Sequence, residues 1–248
     1  MPDPDGLLVV YGRRPVLEAL ADQRVPVDEV LVSRKLKADD VVAAAKARGV
    51  PLRFVTPDKV TRVSGNGRHD QGLVALVRPA PVPTLSDSLP AGAVLVLDGV
   101  TNPQNVGMIV RSAAAFGLTV VLPDAGSPGV GPLVVKASAG IALFAPIRRC
   151  ATAAEAVRLL RQGGFRLLGL AAEAPLTLWD APLTADEPVA FVLGSETAGV
   201  SVEVDEWVAI PIGGGVESLN VSVAAGIVCA EVARRRRSNG PERPRGRR

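Results

Sequence analysis

Histidine and cysteine are scarce: the 248 residues include one histidine, His69, and two cysteines, Cys150 and Cys229. With no histidine near either thiol, a zinc site or a Ser–His–Asp triad is hard to build, and no metal is expected. The cysteines read as small buried apolar residues in a reducing compartment, not as a disulfide. Aromatic residues supply only 3%, which argues against a row of base-stacking rings and leaves Ala, Val and Leu to fill the core. No stretch approaches the roughly 18 uninterrupted apolar residues of a membrane span, and the start, MPDPDGLLVVYGRR, is acidic before it is apolar. A cytoplasmic protein is expected. Neither G-x-G-x-x-G after a strand nor G-x-x-x-x-G-K-[ST] occurs, so neither a dinucleotide fold nor a phosphate-binding P-loop is supported.

What is present is apolar material in quantity, at 48% of residues, enough for one large domain or two modest ones. The net charge is only +3, yet eight arginines fall between Arg234 and Arg248 against the single acid Glu242. Residues 238–248 therefore read as a basic tail, either a solvated end or an arm that contacts phosphates.

Strand and helix patterns alternate along the chain. Val10–Leu20 reads as a turn and a short helix with Arg13 and Arg14 at its entry. Val27–Val32, Leu52–Val55 and Gly72–Val77 read as strands, and Ala38–Arg48 and Pro57–Val63 as helices, giving a small α/β module over residues 1–78. Residues 79–92 hold four prolines and little periodicity, the composition of a semi-rigid linker. A second α/β domain follows over 93–237. It opens with the apolar strand Val94–Leu97, a polar Asn102–Pro103 loop, a helix with apolar residues at three- and four-residue spacing that stops at Gly117, and the strand Leu118–Leu122. Further along, Pro132–Ala139 and Thr152–Gln162 read as helices, and Ala145–Ile147, Phe165–Leu170, Val189–Leu193 and Trp207–Ile212 as strands. A last helix runs from Leu219 to about Arg237.

Three strand-to-loop junctions stand out: Thr101–Gly107, Gly194–Gly199 and Ile210–Asn220. Each follows an apolar strand and is rich in Gly, Asn or Ser, as loops are where backbone amides approach a ligand at the carboxyl edge of a parallel sheet. Arg111 lies four residues after Gly107, and its side chain is expected to lean back over that glycine toward the loop. A solvated helix-surface arginine is the plain alternative. Ser218 and Asn220 could equally cap the last helix.

Taken in order, Asn102-Pro103-Gln104-Asn105-Val106-Gly107 with Arg111, Leu193-Gly194-Ser195-Glu196 with Gly199, and Ile210-Pro211-Ile212 with Ser218-Leu219-Asn220-Val221-Ser222-Val223-Ala224 resemble the three motifs of the SpoU branch of SPOUT RNA ribose 2′-O-methyltransferases. The N-terminal module, through Tyr11-Gly12, Val16-Leu17-Glu18-Ala19-Leu20 and His69-Asp70-Gln71-Gly72, more weakly resembles the RNA-binding domain, related in fold to a ribosomal protein, of the branch that methylates a guanosine ribose in 23S rRNA. The resemblance implies a deep trefoil knot in a mostly parallel α/β domain, which pattern reading alone would not propose because knots are so rare. It implies S-adenosylmethionine as cofactor, held by Gly194, Ile210 and Leu219 with Glu196, Ser218 and Asn220. It also implies a homodimer sharing its active sites, with Arg111 facing the acceptor ribose and Asn105 shaping the loop and contacting the sugar. Arginine is a poor base, so Arg111 is expected to orient the ribose and stabilise charge, with the general-base role proposed for the family left open. Arg13, Arg14 and the tail are expected to meet RNA phosphates.

Two departures from the family pattern occur. Ile212 stands where methionine is usual, a volume-conserving change. Asp70 is an extra residue in the His-Gln-Gly segment, which bears on the substrate and leaves tRNA or an antibiotic-resistance site in rRNA as alternatives. A non-catalytic RNA-binding or ribosome-assembly protein is the rival from another class, and it fits less well because Arg111, Gly194, Glu196 and Asn220 are all retained.

Overall fold

The computed structural model describes residues 6–184, 187–195 and 197–238. Glu196 and all of the basic tail beyond Ser238 lie outside them. The N-terminal part is a four-stranded sheet, in the order β1 (Leu8–Tyr11), β4 (Leu73–Val77), β2 (Val27–Ser33), β3 (Leu52–Val55), with helices α1 (Arg13–Ala21), α2 (Asp39–Arg48) and α3 (Pro57–Ser64). β4 runs antiparallel to both neighbours, while β2 and β3 are parallel. The segment expected as a turn at Val10–Tyr11 is thus the end of an edge strand; five residues between Gly6 and Gly12 are too few to show a period.

The second part is a seven-stranded sheet in which every pairing is parallel. Its strands are β5 (Ala93–Asp98), β6 (Thr119–Pro123), β7 (Ile147–Cys150), β8 (Arg166–Leu170), β9 (Leu176–Thr177), β10 (Val189–Gly194) and β11 (Glu206–Ala209), in the order β7-β6-β5-β10-β8-β11-β9. The central strands β5 and β10 are buried on both faces, which is why they read as unbroken apolar runs. Helices α4 (Pro103–Phe116), α5 (Pro132–Ala137) and α7 (Val221–Ser238) cover one face, and α6 (Ala153–Gln162) the other. β7 begins two residues later than expected because it is an edge strand with Arg148 and Arg149 in its middle, so its apolar pattern is broken.

Residues 79–92, expected as a semi-rigid linker, are held against the second sheet. Leu85 is fully buried, its amide donates to the Arg149 carbonyl at 2.7 Å, and the Arg149 amide donates to the Pro83 carbonyl at 2.9 Å. The segment lies along the β7 edge. The two sheets also share one buried cluster, in which Val10 and Val16 join Val134, Val135 and Leu97. Across that junction the Lys136 ammonium sits 5.8 Å from the Tyr11 ring, and the Arg24 guanidinium 5.5 Å from the Phe144 ring.

Gly107 is part of this packing. A Cβ built there would lie 2.5 Å from the Ala137 Cβ and 2.7 Å from the Val134 carbonyl, so only glycine lets α4 and α5 approach this closely. The expectation that Arg111 leans over a bare Gly107 is therefore corrected: α5 fills the space above the glycine.

Both cysteines are buried and free, as their isolation in the sequence suggested. Burial, aided by Glu155 and Asp124, pushes the Cys150 thiol up to about 11, and burial pushes Cys229 up to about 12. At pH 8 the Cys150 thiolate is then about one part in a thousand. A chromogenic disulfide reagent at that pH should find no fast-reacting thiol in the native protein and two after denaturation; a fast native thiol would contradict this packing.

Candidate active site

The site is assembled where β5, β8, β10 and β11 end. At the first junction, Asn102 caps α4, its Oδ1 accepting the Gln104 amide at 2.8 Å, with Pro103 in the first turn where a missing N–H costs nothing. Asn105, one turn on, is buried, and its Oδ1 accepts a hydrogen bond from Asn220 Nδ2 at 3.1 Å. Asn220 in turn caps α7, its Oδ1 accepting the Ser222 amide at 2.9 Å and the Ser222 hydroxyl at 2.6 Å. One amide pair thus ties the first junction to the third. Capping and site building are the same interaction here, so the two readings of Asn220 do not compete.

The second junction meets the first through the sheet. Gly194 ends β10 in register with Asp98, which ends β5. The chain then folds back on itself: the Gly199 amide donates to the Ser195 carbonyl at 2.9 Å and the Ala198 amide to Ser195 Oγ at 3.0 Å.

Between the second and third junctions lies a cavity of 440 Å³, lined among others by Gly194, Ser195, Gly199, Ile210, Ser218 and Leu219. Of the residues expected to hold the cofactor, Gly194, Ile210, Ser218 and Leu219 line this cavity, Asn220 stands beside it, and Glu196 is not described. The volume and the apolar wall with a few polar groups suit a nucleoside-sized ligand. Backbone N–H and C=O groups at the ends of parallel strands supply the polar contacts that an adenosine needs, so the residues present fit S-adenosylmethionine. Sequence reading missed Leu170, Ala171, Ala172 and Trp207, which also line the cavity. The signal for the first three was available: β8 is an apolar strand like the others, and its carboxyl end must share their edge.

Arg111 is exposed on α4 and makes no hydrogen bond or ion pair with any described residue. It does not line the cavity. An arginine on a helix joined by Asn105 to the site, with all its donors unused, is free to take an external anion or hydroxyl. Arg13 and Arg14 differ sharply. Arg13 is held within the N-terminal domain, donating to Asp40 Oδ1 at 2.6 Å and to the Lys37 carbonyl at 2.7 Å. Among the described residues Arg14 pairs only with Glu18 on the next turn, and its side chain is 72% exposed. Asp70, the extra residue of the His-Asp-Gln-Gly segment, is buried and accepts from the Gly72 amide at 2.8 Å and from Thr61 and Ser64 at 3.1 Å each. It builds the turn that presents Gln71, whose Oε1 accepts the Arg13 amide at 2.8 Å and so caps α1.

A parallel sheet with a nucleoside-sized cavity at its carboxyl edge, joined to a small mixed-sheet module, is an α/β architecture that takes a nucleoside-type ligand at its strand ends. The chain belongs to the SpoU rRNA methylase family, whose model matches residues 92–230, and residues 9–83 match the RNA 2′-O ribose methyltransferase substrate-binding domain. It is 39% identical over 246 residues to a protein of Mycolicibacterium smegmatis named as a tRNA/rRNA methyltransferase, covering 93% of this chain and 77% of that one. The SpoU methyltransferase AviRb of Streptomyces viridochromogenes, solved with S-adenosylmethionine, superposes with a TM-score of 0.73 at 26% identity, covering 95% of this chain and 92% of the other. An RNA 2′-O ribose methyltransferase at 24% identity shares the fold, with a TM-score of 0.75 over 93% of this chain and 89% of its own.

Proposed function

We propose that this enzyme methylates the ribose 2′-hydroxyl of a guanosine in 23S rRNA, with S-adenosylmethionine seated in the cavity between the second and third junctions. The observation that carries the placement is the Asn105–Asn220 bridge, which sets the α4 helix bearing Arg111 against the cavity wall formed by the third junction. The choice of a large-subunit guanosine rests on the N-terminal module. Asp70 counts less against it than the sequence suggested, because its carboxylate is consumed in building the turn.

S-adenosylmethionine supplies a methyl group on a positively charged sulfur, so what this chain must add is alignment and one proton transfer. The Arg111 guanidinium donates to the acceptor ribose or its phosphate, and it stabilises negative charge as the 2′-oxygen loses its proton. A guanidinium is a poor acceptor for that proton. Asn105, its amide fixed by Asn220, holds the loop before α4 in place. Arg14 reaches RNA phosphates, with Arg13 anchoring the turn that carries it. The enzyme works in the cytoplasm as a homodimer; the dimer is supported by Met108 and Phe116 on α4 and Val223 on α7, which leave apolar surface exposed. Threading of the last helix into a trefoil is supported by Arg235: its guanidinium donates to the carbonyls of Leu178 at 3.1 Å and Trp179 at 2.6 Å, strapping that segment across α7.

Mapping ribose methylation on total RNA from cells with and without the gene tests the assignment. One guanosine 2′-O-methyl group in 23S rRNA should disappear with the gene. Loss from a tRNA would replace the substrate, and an unchanged map would sink the assignment.

A further inference from the structure

We propose that Asp98 is a positioning residue for the cofactor: through Ser201 it holds Ser195 and residues 198–200 in place as a wall of the cavity. The inference rests on that cavity being the S-adenosylmethionine site. Asp98 is buried, at 7% exposure, and has no ion-pair partner among the described residues. A buried carboxylate without a cation is costly unless its oxygens are otherwise satisfied. Here Ser201 satisfies them, its amide donating to Oδ2 at 2.5 Å and its hydroxyl lying 2.8 Å from Oδ2 and 3.1 Å from Oδ1.

The placement gives this grip its consequence. Asp98 and Gly194 end neighbouring strands side by side. The loop that leaves Gly194 contributes Ser195, Ala198, Gly199 and Val200 to the cavity lining, and it returns to Asp98 through the very next residue, Ser201. Both ends of the loop are therefore fixed at adjacent points of the sheet edge, one covalently and one through the carboxylate. Without the second anchor the loop keeps its internal Ser195–Gly199 contacts, the packing of Val200 against the core and its chain ends, but loses its side-chain tie to the end of β5. No other side chain among the described residues ties Ser201 to the sheet.

The test uses the full chain, with calorimetric titration of S-adenosylmethionine and amide hydrogen exchange of residues 195–201 without ligand. Asp98→Ala should weaken cofactor binding by about 30-fold, the range expected for losing hydrogen bonds to a charged acceptor. Exchange should rise in the loop while β5 and β10 stay protected. Ser201→Ala keeps the backbone donor and should cost about 5-fold; added to Asp98→Ala it should cost nothing more, because the two act as one contact. Asp98→Asn keeps an acceptor for the Ser201 amide and should restore binding to within about threefold. The proposal is overturned if Asp98→Ala leaves loop exchange unchanged, or if Asp98→Asn binds as poorly as Asp98→Ala while Ser201→Ala is silent, since the carboxylate would then act by its charge. Should the unaltered protein fail to bind S-adenosylmethionine, the reading of the cavity falls, while the exchange measurement still decides whether Asp98 grips the loop.

Discussion

Replacing Arg111 with alanine will cut methyl transfer by about a thousandfold, the scale on which removal of a preorganised donor from developing charge is felt. It will leave S-adenosylmethionine affinity within a few fold. The separation follows from the geometry. Arg111 does not line the cavity, so the cofactor keeps its contacts. Its guanidinium has no partner among the described residues, so the substitution breaks no internal ion pair and should shift the thermal midpoint little. Arg111→Lys keeps the charge but loses the planar fork, and should recover only a small part of the rate. Tritiated-methyl incorporation into unmodified rRNA, read beside a calorimetric cofactor titration, checks both halves. Retained turnover in Arg111→Ala would remove this residue from the chemistry.

The first βαβ unit was legible because every signal in it is local. Four consecutive apolar residues, an Asn-Pro cap, three- and four-residue spacing and a terminal glycine all fall within 94–117, and the structure has β5 and α4 there, with β6 following from Thr119. The three junctions were legible as loops for the same reason. What could not be read is set by neighbours distant in sequence. Trp207 reaches the cavity only because β11 pairs with β8 on the side away from β10, an order that no local pattern encodes. Gly107 was read as opening the loop to a ligand, whereas its value is to admit α5, which begins twenty-five residues later. Asp98 looked like the end of a strand, and its partner Ser201 is 103 residues away. Residues 79–92 look like no more than a semi-rigid linker because proline hides a strand-edge contact that needs only a few amides. Local chemistry thus located the loops, and long-range pairing decided what each contributes.

The glycine at the end of β10 should be the least replaceable residue of the cavity. A Cβ on Gly194 would stand 1.9 Å from the Gly199 carbonyl carbon, 2.1 Å from its oxygen and 2.2 Å from the Val200 nitrogen. All three are backbone atoms, so no rotamer change can relieve the overlap, and either the loop or the strand end must move. Overpacking of this kind costs about 1–3 kcal/mol of stability, and the loop is the cheaper part to displace. Gly194→Ala should therefore fold, with a lowered thermal midpoint, and bind S-adenosylmethionine at least about a hundredfold more weakly, since the wall carrying Ser195, Ala198 and Gly199 has shifted. Gly199→Ala is the control for strain without overlap. Its backbone is left-handed, at φ 67°, but a Cβ there meets nothing within 4 Å, so the cost is about 1 kcal/mol and binding should fall only a few fold. Calorimetry and thermal denaturation on both variants separate the cases. If Gly194→Ala binds within threefold of the unaltered protein, the backbone of residues 199–200 does not form the wall on which S-adenosylmethionine rests. If Gly199→Ala is the worse of the two, loop conformation and not close packing sets the affinity.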